Sequence, residues 1–239
     1  MMHERSKLVL GEDVPALLAT KHVMVFGLGG VGGHAAEALC RSGIGTITLV
    51  DCECYDVSNC NRQLFATAKT VGMRKTDAAK ERLLEVAPDC RIITRDLFFS
   101  EENEPSDLFQ GVDYILDAID TLSSKLYLIR RANELSIPII SCMGTGNKLD
   151  PTAFRVADIH KTSVCPLARN VRSHCRKMGI KKLKVVYSQE EPVKNTITTE
   201  NGRHAPGSVS FVPGVAGMIM AGEIIKDFRK ECLLSEQTR

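Results

Sequence analysis

"VMVFGLGGVGGHAAEALC", residues 23–40, runs from an apolar stretch through a glycine cluster into a helical pattern. HVMVF (residues 22–26) reads as a short buried strand. Gly27, Gly29, Gly30 and Gly32 follow it with G-x-G-x-x-G spacing, and VGGHAAEALCRSG has helical composition with Gly43 as a stop. Strand, glycine turn and helix in that order build a phosphate site. The glycines let the backbone approach phosphate oxygens, and the helix start offers free N–H groups and a positive dipole end. Asp51 closes the next strand pattern, TITLVD, about 20 residues on, where a carboxylate reaches ribose hydroxyls. These residues specify a nucleotide with ribose and phosphate. They leave open whether it is a dinucleotide.

Working outward, strands and helices alternate. KTDAAKERLLEVAP (residues 75–88) is an amphipathic helix closed by Pro88. RIIT, YILDAID, a helix over residues 123–135 and IPIISC follow, then FRVADI and KVVYS as later strands. The alternation predicts an α/β fold: a Rossmann-like sheet, mainly parallel, with helices on both faces and antiparallel C-terminal strands. No repeat or low-complexity linker interrupts it. One domain over residues 1–239 is expected, with a nucleotide-binding part at about 20–150 and an irregular, basic, substrate-facing part at about 151–239.

Composition narrows the class. A chain of 239 residues buries a full core. Residues 1–13 are polar and charged, unlike a signal peptide. The apolar stretch 209–225 is broken by Pro213, Gly214, Gly217 and Glu223, so no membrane span is expected. Nine cysteines, an odd number without regular spacing, read as reduced thiols of a cytoplasmic protein. Cys52, Cys54 and Cys60 cluster, but C-x-C is a poor clip for a tetrahedral metal and no C-x-x-C pair exists, so no structural zinc is expected.

The net charge of +2 conceals an asymmetry. Residues 155–186 hold nine Lys/Arg and one acid, Asp158, for +8. The rest of the chain holds 22 Lys/Arg against 28 acids, for −6. At the centre of the block is RSHCRKMGIKKLK (residues 172–184). A solvated helix face and a polyanion-binding patch both fit it, and the concentration of charge favours the second.

The residues beyond Asp51 favour a triphosphate. DVSNCNRQLF (residues 56–65) brings Asn59, Arg62 and Gln63, and Lys75 opens the next helix. A dinucleotide pyrophosphate needs little beyond a glycine loop. A triphosphate undergoing displacement needs Arg and Lys to neutralise developing charge. Asp120, at the end of YILDAID, lies where a strand meets a loop, and a carboxylate there can hold Mg²⁺ beside phosphate oxygens.

The glycine loop, Asp51, Asn59, Arg62, Gln63, Lys75 and Asp120 together resemble the ThiF/MoeB/HesA superfamily of ubiquitin-activating-enzyme-like adenylyltransferases. The resemblance implies ATP over the glycine loop and attack of a substrate carboxylate on the α-phosphate. Asp51 then holds the ribose, Asn59, Arg62 and Lys75 the phosphates, and Asp120 the Mg²⁺. Arg5, in RSKLVLG, matches an arginine that reaches the partner subunit's ATP, which implies a homodimer.

The segments GTGNKLDPTAFRVADI, HKTSVCPLARNVRSHCRKMGI, LKVVYSQEEP and GSVSFVPGVAGMIMAGEIIKD look like the branch of tRNA threonylcarbamoyladenosine dehydratases. That branch implies a tRNA substrate whose modified-base carboxylate is adenylated and then cyclised. Arg169, Arg172, Arg176, Lys177, Lys181, Lys182 and Lys184 would contact tRNA, and a monovalent cation would sit near the loop after IISCMGTG. The alternative is a ThiF- or MoeB-like activator of a small sulfur-carrier protein. A cysteine desulfurase or sulfur-acceptor system stays open as a further partner. Cys165 stays open between acyl acceptor and helix-start residue, and His160, His174 and His204 are unassigned.

Overall fold

A computed structural model describes residues 3–193 and 206–237 of the chain. Its centre is a seven-stranded sheet with β1 (His22–Phe26), β2 (Thr46–Asp51), β3 (Arg91–Asp96), β4 (Tyr114–Asp117), β5 (Ile139–Cys142), β6 (Phe154–Asp158) and β7 (Lys184–Ser188). The spatial order is β3-β2-β1-β4-β5-β7-β6. Every pairing is parallel except β6 on β7, which is antiparallel at one edge. The expected α/β sheet is therefore present, antiparallel C-terminal strands included.

Central strands of a parallel sheet are covered on both faces, which explains the unbroken apolar runs. Successive side chains alternate faces. Val23 and Val25 of β1 join Ile47 and Leu49 of β2 in a core that packs on α3 (Gly32–Arg41) and α4 (Lys75–Val86). Met24 and Phe26 point the other way, to Val50, Phe99 and Ile115, beneath Leu128 and Ala132 of α5 (Leu122–Glu134). Farther along, α6 (Pro166–Lys177) covers β7 with Ala168, Val171 and Cys175.

Two short helices, α1 (Glu4–Leu10) and α2 (Val14–Leu18), precede the sheet. The His3 ring, just before α1, lies against Gly43 in the turn leading into β2, so α1 sits at the amino-terminal edge of the strands. The last element, α7 (Phe211–Gln237), is a single helix of 27 residues. Residues 211–237 therefore depart from the irregular chain expected there. Pro213 falls in the first turn, where a missing N–H breaks no intrahelical bond. Gly217 lets α7 approach α3, since a Cβ there would stand 2.3 Å from the Val31 carbonyl oxygen. Among the described residues, no helix is long and apolar enough to cross a membrane.

Candidate functional site

The strand order reverses between β1 and β4, and ligands of open α/β sheets bind at the carboxyl ends of strands at such a switch point. A cavity of about 550 Å³ opens there. Gly27, Gly29, Gly30, Asp51, Asn59, Arg62, Gln63, Lys75 and Asp120 all line it. Gly32 lies just behind. A Cβ on Gly32 would stand 1.7 Å from the Gly27 carbonyl oxygen, and Gly27 has φ +86°, so the tight turn excludes side chains at both positions.

Asp51 is fixed by the backbone. Its Oδ2 accepts from Leu28 N–H at 2.7 Å and its Oδ1 from Glu53 N–H at 2.9 Å. Burial raises its carboxyl above the ordinary value, while the Lys75 ammonium and these two N–H donors pull it back. Each oxygen keeps a lone pair for a hydroxyl donor.

Lys75 reaches the same place because Cys54 and Arg74 form an antiparallel bridge and Lys75 N–H donates to the Glu53 carbonyl at 2.9 Å. This pins the start of α4 to the segment after β2. The Lys75 ammonium is 2.6 Å from Glu53 Oε2 and 5.8 Å from the centroid of the Tyr55 ring. Lys75 is 4% exposed, whereas the Glu53 side chain is 68% exposed. The ion pair can therefore open toward a phosphate without stranding a buried carboxylate.

A capping box shapes the next wall. Asp56 Oδ1 accepts from Ser58 N–H at 2.8 Å, and Asn59 Oδ1 accepts from Asp56 N–H at 3.1 Å. Arg62 is held by the same turn, donating to the Ser58 carbonyl at 2.9 Å and to Asn61 Oδ1 at 2.8 Å. Gln63 is buried, and its Oε1 has no hydrogen-bond partner among the described residues. Buried acceptors without a partner are uncommon in folded proteins, and this one belongs to a side chain that lines the cavity. Asp120 is exposed at the mouth.

Beneath the mouth lies a feature that the sequence did not disclose. Asp117 and Lys125 are wholly buried and paired at 2.7 Å. Ser141 of β5 donates to Asp117 Oδ2 at 2.5 Å, and Ile119 N–H donates to Asp117 Oδ1 at 3.0 Å. The pair anchors the loop that carries Asp120. Lys125, in the first turn of α5, looks in the sequence like an ordinary helix charge, so only the acid closing β4 hinted at it.

Other expected residues lie apart from the cavity. Arg5 is exposed on α1, at the opposite edge of the sheet. Of the basic block, Arg169, Arg176, Lys177, Lys181 and Lys182 are exposed. Arg172 instead donates to the Thr162 carbonyl and hydroxyl at 2.8 and 2.7 Å. Lys184 pairs with Asp227 of α7 at 2.7 Å. Cys165 is buried behind Gly144 at the start of α6. Cys142 borders the cavity, but burial pushes its thiol up to about 12, so it stays protonated. His160 contacts the Ile180 carbonyl and His174 the Asn170 carbonyl, both structural roles. His204 lies outside the described residues. Cys52, Cys54 and Cys60 are exposed, and among the described residues no three or more His, Cys, Asp or Glu side chains group to hold a metal.

The chain matches the ThiF family over residues 3–236. It is 41% identical to the tRNA threonylcarbamoyladenosine dehydratase of Bacillus subtilis, over 97% of this chain and 96% of that one. With the Escherichia coli tRNA threonylcarbamoyladenosine dehydratase it shares 39% identity over 70% of this chain and 62% of that one. The crystal structure of E. coli TcdA in complex with ATP superposes with a TM-score of 0.86 at 32% identity, covering 96% of this chain and 94% of that one.

Proposed function

The chain belongs to the ThiF family, and we propose that it is an ATP-dependent dehydratase acting on threonylcarbamoyladenosine in tRNA. One observation carries this reading. The glycine turn, Asp51, Asn59, Arg62, Gln63, Lys75 and Asp120 converge on a single cavity at the switch point of the sheet. That set suits adenylation. The glycine turn and the start of α3 take the phosphates, and Asp51 takes the ribose hydroxyls. Arg62 and Lys75 offset charge that grows as a carboxylate oxygen bonds to the α-phosphorus and pyrophosphate departs. The carbamoyl nitrogen of the same substrate then attacks the acyl carbon and AMP leaves. No enzyme nucleophile is required, because the attacking nitrogen is tethered at high effective concentration.

Mg²⁺ suits Asp120, since this ion takes one or two carboxylates, substrate phosphate oxygens and waters. When bound it neutralises phosphate charge. A monovalent cation belongs, on the family resemblance, near the loop after IISCMGTG (residues 139–146). The tRNA backbone is assigned to the exposed cations of α6 and the turn after it. Leu167 of α6 borders the cavity and Arg169, Arg176 and Lys177 lead away from it along one helix. Phosphate contacts of this kind position a substrate without reading its sequence. The protein is taken to work as a cytoplasmic homodimer with Arg5 serving the neighbouring site. A cysteine desulfurase or sulfur acceptor would be a partner only, because no sulfur enters the balance.

Nucleoside mass spectrometry of tRNA tests the proposal. Cells lacking the protein should hold only open-chain threonylcarbamoyladenosine, and wild type, but not Lys75→Ala, should restore the cyclic form. Unchanged cyclic nucleoside in the deletion would overturn it. ATP–pyrophosphate exchange driven by a sulfur-carrier protein, with none driven by tRNA, would favour the sulfur-carrier reading.

A further inference from the structure

Asp120 is the carboxylate assigned to Mg²⁺, yet its own side chain is loosely held. It is exposed, and among the described residues it accepts only one long hydrogen bond, from the Thr121 hydroxyl at 3.4 Å. The backbone on either side fixes its place. Asp117 Oδ1 accepts from Ile119 N–H at 3.0 Å, immediately before Asp120. Lys125 N–H donates to the Thr121 carbonyl at 3.0 Å, immediately after it. The Lys125 ammonium then donates to Asp117 Oδ2 at 2.7 Å. Lys125 thus clips residues 117–121 into a closed loop, with its backbone at one end and its side chain at the other.

The loop is also tied sideways. Ala118 N–H donates to the Phe26 carbonyl at 2.9 Å. The Ala118 carbonyl oxygen passes so close to Gly27 that a Cβ there would stand 2.7 Å from it. Ser141 precedes Cys142, which lines the cavity from β5. Its hydroxyl donates to Asp117 Oδ2 at 2.5 Å and accepts from Lys125 at 3.3 Å. The clip therefore joins the glycine turn, the Asp120 loop and the end of β5, three walls of one cavity. Stability does not account for it. Asp117, Lys125 and Ser141 are all 0% exposed, and a buried ion pair is often no more stabilising than apolar residues of the same volume. A fully satisfied buried network instead supplies one rigid geometry.

We propose that Asp117 and Lys125 are positioning residues for nucleotide activation: their buried pair, completed by Ser141, holds the Asp120 carboxylate in register with the phosphate site. The proposal rests on the ATP reading and on Asp120 as the carboxylate for Mg²⁺.

A variant that removes the clip without stranding a charge provides the test. In Asp117→Asn/Lys125→Met both charges go together. The asparagine oxygen can still accept from Ile119 N–H and its amide can donate to Ser141, so the fold should hold. Circular dichroism and urea unfolding check this. ATP is titrated by calorimetry, with and without Mg²⁺, into wild type, the double variant, Asp120→Ala and the triple variant. In wild type Mg²⁺ should tighten ATP binding, and Asp120→Ala should lose most of that gain. The double variant should lose most of it too, with its Mg-free affinity near wild type. The triple variant should lose no more than Asp120→Ala, since both changes act through one carboxylate. Ser141→Ala, a smaller lesion, should lose part of the gain, and it decides the matter should the double variant fail to fold. Full gain in the folded double variant, or in Ser141→Ala if that alone folds, would overturn the proposal. So would a Mg-free affinity that falls as far as the Mg-bound affinity, the mark of a distorted cavity rather than a misplaced Asp120. Full gain in Asp120→Ala would remove Asp120 from the Mg²⁺ reading, and the proposal with it. A wild-type protein that binds no ATP would remove the nucleotide reading as well, so the failures are distinguishable.

Discussion

Lys75 is nearly sealed from solvent, yet its ion-pair partner Glu53 is open to it. A cation so placed can be handed to a phosphate oxygen with little reorganisation, which is how a preorganised charge donor lowers a barrier. Lys75→Ala should reduce turnover by ~10²-fold or more while the melting temperature stays near that of wild type. Single-turnover rates alongside thermal unfolding check both halves. Lys125 is the opposite case. Its ammonium is wholly buried against Asp117 and Ser141, with no exposed partner to release. Lys125→Met would strand the Asp117 carboxylate, a loss of about 3–5 kcal/mol. Urea unfolding should show it, and a second change, Asp117→Asn, should return part of the stability. The two lysines were not equally legible. Lys75 stood out because it followed a glycine loop, a ribose acid and an Arg-Gln pair at meaningful spacings. Lys125 looked like any helix-face charge, and burial is a property of the folded neighbourhood. Cys52 offers a third measurement. Of the exposed thiols Cys52, Cys54 and Cys60, it alone borders the cavity. Mg-ATP should slow maleimide labelling at Cys52 and leave Cys54 unchanged, read by peptide mass spectrometry. Equal rates with and without nucleotide would place the ligand elsewhere.

At the scale of elements, α6 sorts its own charges. Val171 and Cys175 face the core, and Arg169, Arg176 and Lys177 are exposed. Lys181 and Lys182 continue the exposed set beyond the helix. Charge counting along residues 155–186 found the block but had no way to tell Arg172, tied to Thr162, or Lys184, paired with Asp227, from cations left for a ligand. The structure separates two kinds of variant. Changing Arg176, Lys177, Lys181 and Lys182 to Gln should weaken tRNA binding and flatten its dependence on salt, by roughly 0.7 to 0.9 in slope for each phosphate that is no longer neutralised. ATP affinity should stay near wild type. Lys184→Gln should instead lower stability and leave the salt slope alone. Anisotropy with labelled tRNA at several salt concentrations distinguishes these outcomes, and an unchanged slope in the quadruple variant would reduce the block to a solvated face. Helix α7 was not legible in the sequence for a related reason. Pro213, Gly214 and Gly217 interrupt the apolar stretch, but the proline occupies a first-turn position and Gly217 is where α7 meets α3.

Over the whole molecule, the parallel sheet with helices on both faces was implied by the alternation of β and α patterns, because parallel neighbours need helical crossovers of one hand, whereas the strand order was not. The two ends of the strands then acquire different roles. The carboxyl ends carry the cavity with its glycine turn, Asp51 and Asp120. The amino edge carries α1, with Arg5 exposed and with Leu8 and Val9 at 87% and 77% exposure. Within one chain Arg5 does not line the cavity, so any part it plays in catalysis must be played on a neighbouring subunit. Two-fold symmetry makes that arrangement reciprocal, since each subunit would lend its Arg5 to the other. The consequence is quantitative. Arg5→Ala and Lys75→Ala homodimers should both be nearly inactive. In an equimolar mixture that has exchanged subunits, half the dimers are mixed, and each mixed dimer holds one site with both residues intact. Activity should therefore recover to roughly a quarter of wild type. Subunit exchange is verified by native mass spectrometry of tagged chains before the assay. If mixed dimers form and activity stays at the level of the single variants, Arg5 does not complete the neighbouring site, and its exposed place on α1 needs another explanation.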